Sequence, residues 1–122
     1  ASGVGEAMIM VVAEYSGVVT SLPLDRVAKA ENQLTASPLT GTTANTRQTL
    51  ELAIGAIATR GGIATNPING FSIVDQMDQG GNAGNIVLLQ RIIYSIGTYS
   101  SGVTTASSGQ SAGAIATFYM TP

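Results

Sequence analysis

The chain alternates short apolar runs with clusters of Gly, Asn, Ser and Pro. Its first run, Ala7-Met-Ile-Met-Val-Val-Ala-Glu-Tyr15, is stopped by Ser16-Gly17; its β-branched content and length predict a strand. Arg26-Val-Ala-Lys-Ala30 alternates polar and apolar positions, as a strand wet on one face would. Glu31 to Arg47 is polar and contains Pro38 and Gly41, so it reads as a loop crossing one end of the domain. Thr49 to Ala58 resumes the alternation and places Leu50, Leu52, Ile54 and Ala56 on one face. Gly55 in its middle signals a bulge or a close neighbour.

Asn66-Pro-Ile-Asn-Gly70 marks the next connection. Its Asn69-Gly70 dipeptide predicts a tight turn, because both residues tolerate positive φ. Phe71-Ser-Ile-Val-Asp75 is a short strand, and Gln76 to Gly84 a Gly-rich loop. Asn85 to Ile96 is the longest apolar segment; its apolar content alone allows a helix, but its β-branched residues and Gly/Asn flanks favour a strand buried on both faces. Thr98 to Thr105 reads as a polar strand, Ala106 to Ser111 as a turn, and Ala112 to Tyr119 as the closing strand. Short strands at this spacing, without a capped amphipathic helix, an internal repeat or a linker, predict one all-β domain over residues 1–122. Its expected architecture is an antiparallel β-sandwich or jelly roll.

Composition narrows the function. Only 10% of the 122 residues are charged, against 44% hydrophobic, and the net charge is −2. Five scattered cations, Arg26, Lys29, Arg47, Arg60 and Arg91, cannot supply the clustered phosphate contacts of a nucleic-acid binder. With neither His nor Cys, a Ser-His-Asp or Cys-His nucleophile and a zinc site with nitrogen or sulfur ligands cannot be built. The apolar run Met8 to Ala13 is far shorter than the roughly 20 residues of a membrane helix. Abundant Ser, Thr and Gly supply an uncharged hydrogen-bonding surface suited to assemblies and exported structures. The chain opens at Ala1 without an initiator Met or a signal-peptide pattern, so the expectation is that a leader, a propeptide or more N-terminal domain was removed or left out.

Candidate sites are few. Glu14 and Arg91 both lie inside apolar runs; they either form a buried ion pair that fixes sheet register or point outward to solvent or a subunit contact, and both readings are structural. Asp75, Asp78 and Asn82 could present oxygens to a calcium ion, but their spacing is not that of a twelve-residue calcium loop and a plain turn is favoured. Nor does the Asp75/Asp78 pair come with the Trp platform of a sugar-cleaving site. Gly3-Val-Gly5 and Arg60-Gly-Gly62 lack the rest of a phosphate-cradling motif. Tyr15, Tyr94, Tyr99 and Tyr119 are either a sugar-stacking patch or, the favoured reading, strand-end and interface residues. Met8, Met10, Met77 and Met120 read as core or interface filler. No catalytic, cofactor-binding or metal-binding residue is assigned, and the chain is not expected to be an enzyme.

Three stretches carry a resemblance. Glu14-Tyr-Ser-Gly17 with Pro23-Leu-Asp25, Gly70-Phe-Ser-Ile-Val-Asp-Gln76, and Arg91-Ile-Ile with Gly97-Thr-Tyr-Ser100 and Ala114-Ile-Ala-Thr-Phe118 resemble, in order, a family of β-sandwich domains in tailed-phage structural proteins and bacterial surface proteins. The resemblance covers about Glu6 to Tyr119. It implies a structural protein of a virion, such as a capsid-decoration, head-fibre or tail-associated subunit, that binds copies of itself and a major virion protein. Residues Met8 to Tyr15 and Asn85 to Ile96 are the expected contact strands. The alternatives are a carbohydrate-binding or adhesive surface module and a subunit of an extracellular filament held by strand exchange. Domains of this family usually have further strands before the first motif, so a neighbouring chain is one expected source of a completing strand.

Overall fold

A computed structural model describes residues 10–80 and 84–122. The described chain is all-β: β1 (Leu24–Thr35), β2 (Glu51–Thr59), β3 (Ala64–Thr65), β4 (Ser72–Asp78), β5 (Asn85–Ile93), β6 (Thr104–Thr105) and β7 (Gly109–Tyr119). Five of these form one antiparallel sheet in the order β1-β7-β2-β5-β4, while β3 pairs with β6. No helix among the described residues is long and apolar enough to cross a membrane.

A second layer lies beneath the large sheet and is held mostly outside regular strands. Residues 36–46 run antiparallel to 97–105: Thr40, Thr43 and Thr46 donate their backbone N–H to the carbonyls of Ser101, Tyr99 and Gly97, each at 2.9 Å. In return the N–H groups of Ser101, Tyr99 and Gly97 donate to the hydroxyls of the same three threonines, at 2.9, 3.0 and 3.2 Å. A threonine hydroxyl thus accepts where a strand neighbour's carbonyl would. Residues 64–69 complete the layer on the other side through β3·β6 and an Ile68 N–H bond to Gly102.

Counted as eight runs, the first pairs with the eighth (β1·β7), the second with the seventh (36–46 with 97–105), and the third with the sixth (β2·β5). This nested pairing is a long hairpin wound over itself, the jelly-roll course. The fifth run, β4, joins β5 in the large sheet rather than the fourth run below it. The turn between those two runs is Ile68-Asn69-Gly70-Phe71, with φ of 60° at Asn69 and 77° at Gly70 and a Phe71 N–H bond to Ile68, as the dipeptide predicted.

The core between the layers is made by the odd positions of β2 and β5. Ala53, Ile57, Val87, Leu89, Ile93 and Ile115 meet Phe71, Tyr99 and Val103 from the second layer. Gly113 is inward-facing on β7, and a Cβ there would collide with the carbonyl oxygen of Leu39, so the layers touch through bare backbone at that point.

The expected all-β architecture is therefore found, with local corrections. The stretch 31–47 is not one loop: its first residues finish β1 and the rest build the second layer. The strand expected over Ala7–Tyr15 is absent from Met10–Tyr15, which joins no sheet; Ala7–Ile9 lie outside the described residues. That segment is apolar enough for a strand, but the sheet lane next to it is taken by Val18 and Val19, which bond Met120 and Tyr119.

Candidate functional site

The inward face of β2 is Glu51, Ala53, Gly55, Ile57 and Thr59, all buried. Its other face carries Leu52, Ile54, Ala56 and Ala58, turned away from the second layer. Because facing residues in a ladder point to the same side, the register identifies the rest of that outer face. Ile54 aligns with Ala116 and Gln90, and Ala116 with Val27; Ala56 aligns with Ala114 and Leu88. Ala58 aligns with Ala112 and Ile86, and Ile86 with Met77. The outer face of the sheet is thus largely apolar, with Val27 65% exposed and Leu24, Met77 and Ile92 about half exposed, but Lys29 stands opposite Ala114, Asp75 opposite Leu88 and Gln90 opposite Ile54, and Leu52 on this face is buried.

This face has relief. The outward residues of β7 between Gln110 and Phe118 are all alanines, while Val27 and Lys29 on one side and Ile54 and Leu88 on the other are larger. The result is a groove along β7. One part is a hollow of about 280 Å³ bounded by Val27, Ile54, Ala56, Ala114 and Ala116. A neighbouring hollow of about 460 Å³ includes Ala112, Gln110, Ile86, Asn32 and Arg60.

A second feature sits inside the fold. Asp25, at the start of β1, and Glu51, at the start of β2, have fully buried carboxyls that hydrogen-bond each other. Asp25 accepts from the Arg47 N–H at 2.8 Å and from the Tyr119 hydroxyl at 2.9 Å. Burial works against its charge, but the Arg47 N–H, Glu51, Tyr119 and the Arg26 guanidinium outweigh burial and hold its pKa below the usual carboxylate value. Glu51 goes the other way. Burial and the Asp25 carboxylate raise its pKa, opposed by hydrogen bonds with Thr117 and the Gln48 N–H. The surroundings thus push the two carboxyls apart, Asp25 toward its ionised form and Glu51 toward its protonated one. Neither side chain is open to solvent, so the pair is a structural tie between strand ends.

The residues singled out from sequence are dispersed. Arg91 stacks over the Tyr99 ring, 5.2 Å from its centroid, and donates to the Asn69 carbonyl; Glu14 is exposed, so the buried Glu14–Arg91 pair does not form, and the outward reading fits Glu14 but not Arg91, which shares the inward face of Ala53. Asp75 accepts the Gln76 N–H and Asp78 accepts the Gly80 N–H, both local turn bonds; Asn82 lies outside the described residues. Among the described residues, no three His, Cys, Asp or Glu side chains come together as a metal site would need. The tyrosines do not form one patch: Tyr119 bonds Asp25, Tyr99 is buried against Ser95, Tyr94 is exposed, and Tyr15 is half-buried with its hydroxyl unbonded and its pKa raised by burial. Sequence reasoning does not find the Asp25–Glu51 tie: Glu51 shares its parity with Ala53, Gly55 and Ile57, but only the pairing shows that this parity faces inward. No family model, curated protein or solved structure matches the chain.

Proposed function

We propose that the chain is a non-enzymatic structural subunit of a virion, a capsid-decoration, head-fibre or tail-associated protein that works by packing against copies of itself and a major structural protein. One observation carries this reading: the sheet turns Leu24, Val27, Ile54, Leu88, Ile92 and Met77 away from its own core. Exposed apolar surface of that extent marks an interaction site. Lys29, Gln90 and Asp75 break this face into apolar stretches, which removes most of the gain where they are covered unless they find partners.

The second reading, an extracellular filament held by strand exchange, is favoured by the unpaired apolar segment Met10–Tyr15. Sedimentation of the full chain from micromolar to hundreds of micromolar, with electron microscopy of whatever forms, tests both. Shells, rings or particles of defined size support the first reading, and fibres the second. A chain that stays monomeric at every concentration and is retained on a polysaccharide column is instead an adhesive module.

A further inference from the structure

We propose that the apolar segment Ala7–Ala13 of one copy seats in the groove along the outer side of β7 of a second copy. This rests on the self-assembly reading and names its contact. The described part of the donor is left over from its own sheet: Met10 and Val12 are 68% and 77% exposed. It also leaves the sheet in a fixed direction. Gly17 and Val19 bond Thr121 and Tyr119 in the lane that β1 continues, so residues before Gly17 pass beyond the C-terminal end of β7, toward whatever lies above it.

The groove fits such a segment in shape, length and charge. From Ala116 to Gln110 it runs six residue steps, about 20 Å, and the apolar run Ala7–Ala13 spans the same six steps. In an extended chain Met8, Met10 and Val12 share one side. That row meets the alanine floor of β7, between a wall of Val27 and the Lys29 stem and one of Ile54 and Leu88, interdigitating as the side chains of stacked sheets do. Methionine suits an irregular trough because it adapts its shape. The apolar run is flanked by Glu6 and Glu14, while the groove ends at Arg60, so one donor carboxylate reaches a cation at its mouth. Because donor and acceptor are different surfaces, the contact is head-to-tail and propagates into a ring or an open filament.

The chain has no cysteine, so introduced thiols report without background. Full-length Val12→Cys is mixed with full-length Ala114→Cys and oxidised; Val12→Lys and Ala114→Lys are sedimented beside the wild type. Both substituted positions are exposed ones, and circular dichroism checks that the fold is kept. The expected result is a mixed disulfide dimer, and association weakened roughly tenfold or more by either lysine, since each sets a second ammonium beside Lys29, which stands opposite Ala114. Absence of the mixed disulfide overturns the assignment. So does a Val12→Cys/Ala114→Cys chain that closes only on itself as a monomer, which would put the segment in its own groove. Multimers that survive both charged variants also overturn it while leaving self-assembly standing through another surface, such as outer face on outer face. A wild-type chain that never associates removes both.

Discussion

The side-chain amide of Gln76 bonds both backbone groups of Ala64: the Ala64 N–H donates to its Oε1 at 2.9 Å, and its Nε2 donates to the Ala64 carbonyl at 3.0 Å. One side chain from β4 thereby performs the exchange that two paired strand residues perform with their main chains. It stands where the fourth and fifth runs would otherwise pair, and it lets β4 join the upper sheet without orphaning the second layer's edge. Asn85 adds a third bond, donating to the same Oε1 at 3.0 Å.

Gln76→Ala should therefore cost about 2–3 kcal/mol, because it leaves the buried Ala64 N–H without an acceptor as well as losing three bonds. Gln76→Glu keeps the acceptor and loses the donor, so its cost should be smaller. Urea unfolding of both variants checks the order; equal stability of Gln76→Ala and wild type would show that the bridge ties nothing together.

The threonine ladder makes a similar prediction for the second layer. Thr43→Val keeps shape and removes the hydroxyl that accepts the Tyr99 N–H. Thr43 is 3% exposed, so water cannot replace the bond, and the expected loss is about 1–3 kcal/mol. Amide exchange at Tyr99 should accelerate in the variant while exchange in β2 and β5 keeps its order.

Face assignment can be tested by pairing two alanine substitutions. Ile57→Ala empties a fully buried position and should cost about 2–5 kcal/mol. Val27→Ala, on the outer face, should change the stability of the isolated chain by only a few tenths of a kcal/mol, as surface substitutions do, yet weaken association. If Val27→Ala proved as costly as Ile57→Ala in unfolding experiments, the two sides of the sheet would be exchanged.

Much of this architecture could be read from alternation, since β2, β5 and β7 fall within a few residues of the expected strands and Asn69-Gly70 turns as its chemistry requires. The direction of the faces could not. Leu50, Leu52, Ile54 and Ala56 look like a core stripe, but the opposite parity of β2 is apolar too, and only the three-dimensional pairing shows which side the second layer covers. The second layer itself was hidden because Thr40, Thr43 and Thr46 bond through side chains at a three-residue spacing that imitates a polar loop. Asp25 and Glu51 are 26 positions apart, and nothing local to either announces the other. The segment Met10–Tyr15 was misread for a different reason: strand propensity says that a ribbon wants a partner, not that its own chain supplies one.

The Asp25–Glu51 tie makes stability depend on pH in two opposed ways. Asp25 has its pKa lowered on folding from the ordinary 3.8, so its contribution is present above that value and is lost as pH falls through the lower folded one. Glu51 has its pKa raised from the ordinary 4.5. The folded state then binds the Glu51 proton more tightly than the unfolded chain, and its contribution is present below 4.5 and lost as pH rises through the raised folded value. Stability attributable to the pair should peak in the acidic window where Asp25 is ionised and Glu51 still holds its proton. Glu51→Gln keeps a donor toward Asp25 and cannot ionise, so it should abolish the decline on the alkaline side and stand above wild type at neutral pH. Asp25→Asn should remove the acid limb but lower stability throughout, because it weakens the acceptor for Arg47 and Tyr119. Denaturant midpoints of the three proteins measured from pH 3 to 8 decide the matter: a Glu51→Gln profile parallel to wild type across that range would mean that the site does not push the two carboxyls apart.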